Sequence, residues 1–489
     1  MPASPPAGCS VWGNCANWRH AVPIGRVNMP WPQRFVFRPL ETFLLALVIL
    51  LAGLGFVLVA AAANLRQGEP WFSGLFTALL APAVMAVALL GLHLLLQGRG
   101  VKTEPLILPI AGLLVAVGLV MIGRLRGPEA VWQQVGRGFL PGVAMMTLFI
   151  ARPHLVEQVR RGTLVISLVG LGLLIATAFF GVLDESGARL SLKLGPLPAV
   201  QTAEVIKLAL IIFLAWYIEK EGEEAEGRAR PFLSWLRVPA IRYFIPGLLF
   251  VSLATLALVK MSDFGAILIL GCLFVAMLYA GFQTRIFITV AAIGLGLTLL
   301  AGLILSATWD VPPVIQHRLA AFLNPWSQAP LLSGGQPTGL TIAEGPGYQL
   351  QQAIYALIAG GLTGTGLGFG LPNNIPLAHS DFIFAALLEE LGAVTGLALL
   401  AFFIILLARI LRVAVLLPPA QVFERLLLVG ISVHLFTQVL VMVGGNLNLL
   451  PLTGVTLPLV SQGGVALLVN LAEIGLALAL AQRLEEPLP

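Results

Sequence analysis

Apolar runs of about twenty residues, divided by short polar breaks, recur along almost the whole chain, and they decide what it can fold into. A run of that length matches a helix crossing the ~30 Å hydrocarbon core of a bilayer. Inside lipid only helices and closed barrels satisfy their own backbone, and runs this long mean helices. About twelve such spans are expected, near 41–63, 73–97, 104–123, 136–151, 162–183, 201–219, 240–259, 264–281, 284–305, 381–410, 422–443 and 462–482. Charged residues make up 10% of the chain, against roughly 25% in soluble domains. The expected fold class is therefore an all-α polytopic membrane protein.

The basic residues fix an orientation. Arg99 and Lys102, Arg152 with Arg160 and Arg161, Lys220 with Arg228, Arg230 and Arg237, and Arg409 with Arg412 fall in alternate loops, in phase with a basic N-terminal stretch. That side is expected to be the cytoplasm, which puts both termini there and the long loop 306–380 outside. Arg124, Arg126, Arg189 and Lys193 fall on the other side, so the asymmetry is a bias. The net charge of +5 is spread over loops, so nucleic acid is not the expected partner; the lipid bilayer is. Cys9, Cys15 and Cys272 form no disulfide or metal framework. Residues 1–40 lack a signal-peptide core and read as a disordered cytoplasmic tail. The acidic run Glu221–Glu226 reads as a solvated loop, and no fixed-period repeat is present.

The stretch from Gly347 to Gly392 carries the chemistry. It opens on a polar segment with Gln349, Gln351 and Gln352, passes a glycine-rich region (Gly360 to Gly370), and enters an apolar run at Asp381 that holds Glu389 and Glu390. Acids at and inside a membrane segment are costly and mark function by default. The competing reading of Asp381 is as N-cap of the following helix, and one residue can do both. Three further segments stand out. Glu204 and Lys207 are three apart, neighbours on one helix face, and read as a structural ion pair. Lys260 and Asp263, in KMSDFG, lie between two apolar runs; a tight turn accounts for Asp263, while Lys260 can snorkel or meet a lipid headgroup. The uncharged GGNLNLLPLTGVTLPLVSQGG is expected to re-enter the membrane and wall a cavity.

Together, VQTAEVIK, KMSDFG, GYQLQQ through HSDFIFAALLEELG, and LTGVTLPLVSQGG resemble the SEDS family, the RodA/FtsW group of bacterial cell-wall polymerases. The resemblance covers about residues 104–483 as a ten-helix core. It makes 1–40 a tail, 41–103 two additional N-terminal transmembrane helices, 306–380 the large outer loop and 484–489 a C-terminal tail. By resemblance Asp381 corresponds to the family's essential aspartate, Glu204 and Lys207 to its buried ion pair, and Arg318 to an arginine of its outer loop. The family's SYGGSS reads Ser461-Gln462-Gly463-Gly464-Val465-Ala466 here, and its GARxW reads Gly187-Ala188-Arg189-Leu190-Ser191.

The resemblance implies a peptidoglycan glycosyltransferase in the bacterial cytoplasmic membrane. Such an enzyme polymerises lipid II, an undecaprenyl-pyrophosphate-linked disaccharide peptide, with inversion and beside a class B penicillin-binding protein, in cell elongation or division. A carboxylate can take the proton of an acceptor hydroxyl, the role expected of Asp381. The pyrophosphate calls for positive charge, from Arg318, Lys260 or a divalent cation (Mg2+ or Mn2+); no other cofactor is expected. Gln349, Gln352 and Ser461 are the remaining candidate substrate-binding residues, and Asp263, Glu389 and Glu390 candidate cavity residues. From Asp381 to Glu389 is about 12 Å along a helix, too far for the paired acids of a glycosidase. A flippase for polyprenyl-linked sugars and a catalytically silent scaffold are the alternatives.

Overall fold

The computed structural model describes residues 37–101, 104–183, 189–193, 199–227, 230–233, 236–238, 245–281, 313–333 and 336–484. Helix α1 (Pro39–Gln67) starts on a proline, whose missing N–H costs nothing in a first turn, and stops at Gly68 in the left-handed region. α2 (Leu75–Gly98) packs back against it. A 45-residue helical run, Ile107–Ala151, follows; it comprises α3 (Ile107–Gln134), a π-helical turn (Val135–Phe139) and α4 (Leu140–Ala151). Unbroken it would measure about 68 Å, twice the hydrocarbon core. Gly127, at φ 80° and ψ −178°, breaks it ahead of Pro128. A Cβ on Gly123 would stand 3.2 Å from the Val131 side chain across the break, so the chain folds back on itself. The two lengths, about 30 and 36 Å, answer the two spans expected at 104–123 and 136–151.

Then come α5 (Leu155–Arg161), α6 (Thr163–Phe180), α7 (Thr202–Gly227), α8 (Ile245–Met261) and α9 (Phe264–Gly281). Past the undescribed stretch lie α10 (Pro313–Leu323), α11 (Pro346–Gly360), α12 (Ile383–Leu416), α13 (Val422–Asn446) and α14 (Gly464–Gln482). Among the described residues eight helical segments are long and apolar enough to cross a membrane, and α8 is a shorter apolar helix. The span expected at 284–305 lies outside the described residues. Among the described residues three short antiparallel hairpins, Val182–Leu183 with Arg189–Ser191, Arg230–Leu233 with Leu236–Val238, and Pro330–Ser333 with Gln336–Thr341, occupy loops, and the described spans are helical.

α13 and α14 form the buried centre. α14 lies along α4, where Gly142 faces Leu471 and Gly475 faces Met146 at distances that leave no room for a side chain. Small residues let helices approach this closely in lipid, where dispersion contacts drive association. Phe43 and Leu50 on α1, and Leu164 and Leu168 on α6, are more than half exposed and offer the apolar surface a bilayer requires. One end of the bundle is built from the start of α7, the α8–α9 turn, the start of α12 and the 447–463 loop, with α10 and α11 above it.

Candidate active site

At that end is a cavity of about 490 Å³. Its polar lining includes Asp381, Asp263, Arg318, His317, Gln349 and Gln462, contributed by five separate elements. Asp381 sits in the turn before α12. The turn begins at Leu377, a non-glycine residue at φ 57°, whose carbonyl accepts the Asp381 N–H at 3.1 Å. Three neighbours pin it from the side. Asn446, fully buried at the end of α13, donates to the Asp381 carbonyl (2.7 Å) and accepts the Ala385 N–H (3.1 Å). The Ser461 hydroxyl donates to the Ser380 carbonyl (2.6 Å) and the Gln462 N–H to the His379 carbonyl (2.9 Å).

This arrangement resolves the capping question. The N-cap of α12 is Phe382, which makes no side-chain capping bond; Asn446 supplies the acceptor for the N3 amide from another helix. Asp381 is not the capping residue, and its side chain lines the cavity.

Asp263 does cap: its Oδ1 accepts the Ala266 N–H at the start of α9 (3.0 Å). Burial pushes its carboxyl up, and Lys207 and Arg318 pull it back down. Arg318, on α10, is shifted downward by burial and held up by Asp263 and Asp381 together. Behind Asp263 a smaller cavity of about 60 Å³ connects to Glu204 and Lys207. These two pair at 2.8 Å with Lys207 only 2% exposed, and Gln438 of α13 donates to Glu204 (3.4 Å). Charge thus alternates through the site, from Lys207 to Asp263 to Arg318 to Asp381.

Other expected site residues stand elsewhere. Lys260 lies outside the cavity, exposed, its ammonium 3.3 Å from the centroid of the Phe179 ring, a cation–π contact. Gln352 is half-buried on α11 and does not line the cavity, whereas Gln349, one turn earlier, does. Ser461 is a buried strut whose hydroxyl also accepts the Leu457 N–H. Glu389 and Glu390 do not reach the cavity, because the intervening turns of α12 carry them away from Asp381. They hold the glycine-rich loop instead. Glu389 accepts the Leu371 N–H (2.7 Å), and Glu390 accepts the Gly368 N–H (3.0 Å) and pairs with Arg124 (2.8 Å).

α12 is broken there, at Gly392 (φ 80°, ψ 169°), and the loop closes the gap. The N–H groups of Thr365 and Gly366 donate to the carbonyls of Glu389 and Glu390, and those of Ala393 and Val394 donate to Gly361 and Leu362. Asn446, His317 and Arg124 were not singled out as site residues from sequence, and Gln462 was met there only as a departure from the family's SYGGSS. Of the first three, only Asn446 leaves a trace there, as an amide directly after the Gly444-Gly445 pair at the end of an apolar run. Among the described residues no group of three or more His, Cys, Asp or Glu side chains is placed to hold a metal ion.

Fold and site together define a polytopic membrane protein with an acid–guanidinium pocket at one end of its helical bundle. Residues 102–486 match the profile of the FtsW/RodA/SpoVE cell cycle proteins, and the chain belongs to that family. It is 32% identical over 478 residues to the peptidoglycan glycosyltransferase RodA of Mycobacterium tuberculosis, covering 94% of this chain and 93% of that one. It is 33% identical over 320 residues to a probable peptidoglycan glycosyltransferase FtsW of Nitrosococcus halophilus, covering 64% and 73%. Among solved structures, a chain of a peptidoglycan synthase complex superposes with a TM-score of 0.59 at 25% identity, over 78% of this chain and 98% of that one. RodA of Thermus thermophilus has the same fold (TM-score 0.51, 24% identity, 79% and 99% covered).

Proposed function

We propose that this chain is a peptidoglycan glycosyltransferase that polymerises lipid II at the outer face of the bacterial cytoplasmic membrane, in elongation or division. The observation that carries the reading is one cavity presenting Asp381 and Arg318 together. Transfer forms a bond from the acceptor hydroxyl oxygen to the donor's anomeric carbon and breaks that carbon's bond to the pyrophosphate. The hydroxyl proton passes to Asp381, and undecaprenyl pyrophosphate leaves with the bonding electron pair. A single attack from the opposite face inverts the anomeric carbon. Arg318 meets the developing phosphate charge with a planar fork of donors, the geometry that suits phosphate oxygens.

Asp263, in the same cavity, is the carboxylate that would hold a Mg2+ or Mn2+ ion, which takes one or two carboxylates together with substrate phosphates; bound there, it would screen the same charge. The bias of basic residues puts the Asp381 end outside and both termini in the cytoplasm. A class B penicillin-binding protein is the partner that suits such a polymerase, a reading supported by the fold shared with a chain of a peptidoglycan synthase complex.

Purified protein with lipid II provides the test. Asp381→Asn should leave the chain folded and lower polymerisation by about 10²- to 10⁴-fold, the usual contribution of a general base. An Asn variant within a few-fold of wild type removes Asp381 from the reaction. Wild-type protein that makes no glycan but moves lipid across vesicles supports a flippase instead.

A further inference from the structure

Away from the active site, a groove of about 520 Å³ runs between α1, α3 and α12. On α12 its wall is one stripe, Leu391, Thr395, Ala398, Phe402 and Ile405, at the spacing of a single helix face. Leu44, Leu51 and Leu58 on α1, and Leu106, Leu113 and Val120 at and along α3, form matching stripes. Among the described residues Thr395 is the only polar one in the lining, and its hydroxyl is bonded to the Leu391 carbonyl of its own helix. The α1 leucines at 51, 54 and 58 are more than two-fifths exposed, so the groove opens sideways to lipid.

All three stripes end in charge at the end of the bundle away from Asp381. The α12 stripe continues into Arg409 and Arg412, whose side chains are 32% and 56% exposed. Leu106 follows the buried Glu104, which pairs with both arginines at 3.9 and 3.3 Å. α1 begins with the Arg38–Glu41 pair (2.8 Å). Three guanidiniums therefore meet two carboxylates, and the two most exposed members are cationic.

We infer that this groove is a binding site for one anionic phospholipid of the cytoplasmic leaflet, its phosphate at Arg409 and Arg412 and an acyl chain along the groove. The choice of leaflet rests on the orientation proposed above; the site itself does not depend on Asp381 chemistry. Length and charge select the occupant. From Leu44 to Leu58, or from Leu391 to Ile405, the groove is about 21 Å long. It is apolar along that length and ends at exposed guanidiniums, the pattern of an acyl chain joined to an anionic headgroup. The length exceeds the ~15 Å half-thickness of the hydrocarbon core, so the chain is held extended. The exposed guanidiniums select for negative headgroup charge, at about a factor of five in affinity for each basic residue near the surface.

The experiment titrates the delipidated full-length protein in detergent with phosphatidylglycerol or phosphatidylcholine of identical acyl chains and counts bound lipid by native mass spectrometry. Wild type should prefer phosphatidylglycerol. Arg409→Gln with Arg412→Gln should weaken phosphatidylglycerol about 30-fold and leave phosphatidylcholine unchanged. Glu104→Gln, which removes the competing carboxylate, should tighten phosphatidylglycerol several-fold and keeps the test decisive where the double variant does not fold. Ala398→Phe, at an exposed position in mid-groove, should abolish tight binding of either lipid. Equal affinity for the two lipids in wild type, or wild-type binding by Ala398→Phe, overturns the assignment. So does an interchain disulfide through Ala398→Cys, which marks a second copy of the chain as the occupant.

Discussion

Arg318 is pulled two ways: burial disfavours its charge, and Asp263 and Asp381 favour it. A guanidinium in that position keeps its proton where an ammonium is easily perturbed, and it can bind two phosphate oxygens at once. Arg318→Lys should therefore weaken use of the pyrophosphate donor more than use of the acceptor. Competition between pyrophosphate- and monophosphate-bearing lipid analogues measures this; the Lys variant should lose most of the preference for pyrophosphate. An unchanged preference leaves Arg318 as a loop anchor. The residue types of this site were readable in the sequence because charge in an apolar chain is conspicuous: Asp381, Asp263, Glu204, Lys207 and Arg318 all converge on the cavity or its neighbour. Charge alone did not tell site from support. Lys260, Glu389 and Glu390 are equally conspicuous, yet one lies on an aromatic ring at the surface and two hold a loop.

Among the elements, the start of α12 depends on groups far away in sequence. Asn446 bonds the Asp381 carbonyl and the Ala385 N–H, and among the described residues no other side chain ties these two together. Asn446→Ala removes both bonds and takes the acceptor from the buried Ala385 N–H, at about 1–3 kcal/mol. The expected result is a lower thermal midpoint and a fall in kcat that exceeds any change in substrate binding, because the turn carrying Asp381 loses its clamp. Normal turnover with reduced stability would confine Asn446 to the fold. Such a clamp was hard to foresee. N-cap chemistry is local in sequence, so Asp381 was its natural candidate, whereas the acceptor arrives from 61 residues away. The paired spans at 104–123 and 136–151 were legible from hydropathy, and the break between them falls at Gly127-Pro128, a breaker pair that stands in the sequence between the two runs.

For the whole molecule, hydropathy gave the bundle and charge bias gave its proposed orientation. The orientation can be checked directly: a membrane-impermeant maleimide should label Thr338→Cys in intact cells, and should reach Cys9 and Cys15 only after permeabilisation. Labelling of the native cysteines in intact cells would invert the topology. The hairpin carrying Thr338 and the cytoplasmic groove mouth at Arg412 would then change places. The glycine-rich loop has one further consequence. By composition it reads as the most mobile region of the chain, yet its backbone completes the hydrogen bonding of a helix at the Gly392 break. Amide hydrogen exchange should therefore find Thr365, Gly366, Ala393 and Val394 protected together, opening as one cooperative unit with the first turns of α12. Fast exchange at Thr365 and Gly366 beside slow exchange at Ala393 and Val394 would separate the loop from the helix. If the four move as one, this loop is the piece of the bundle that sets how long the turn bearing Asp381 stays in place.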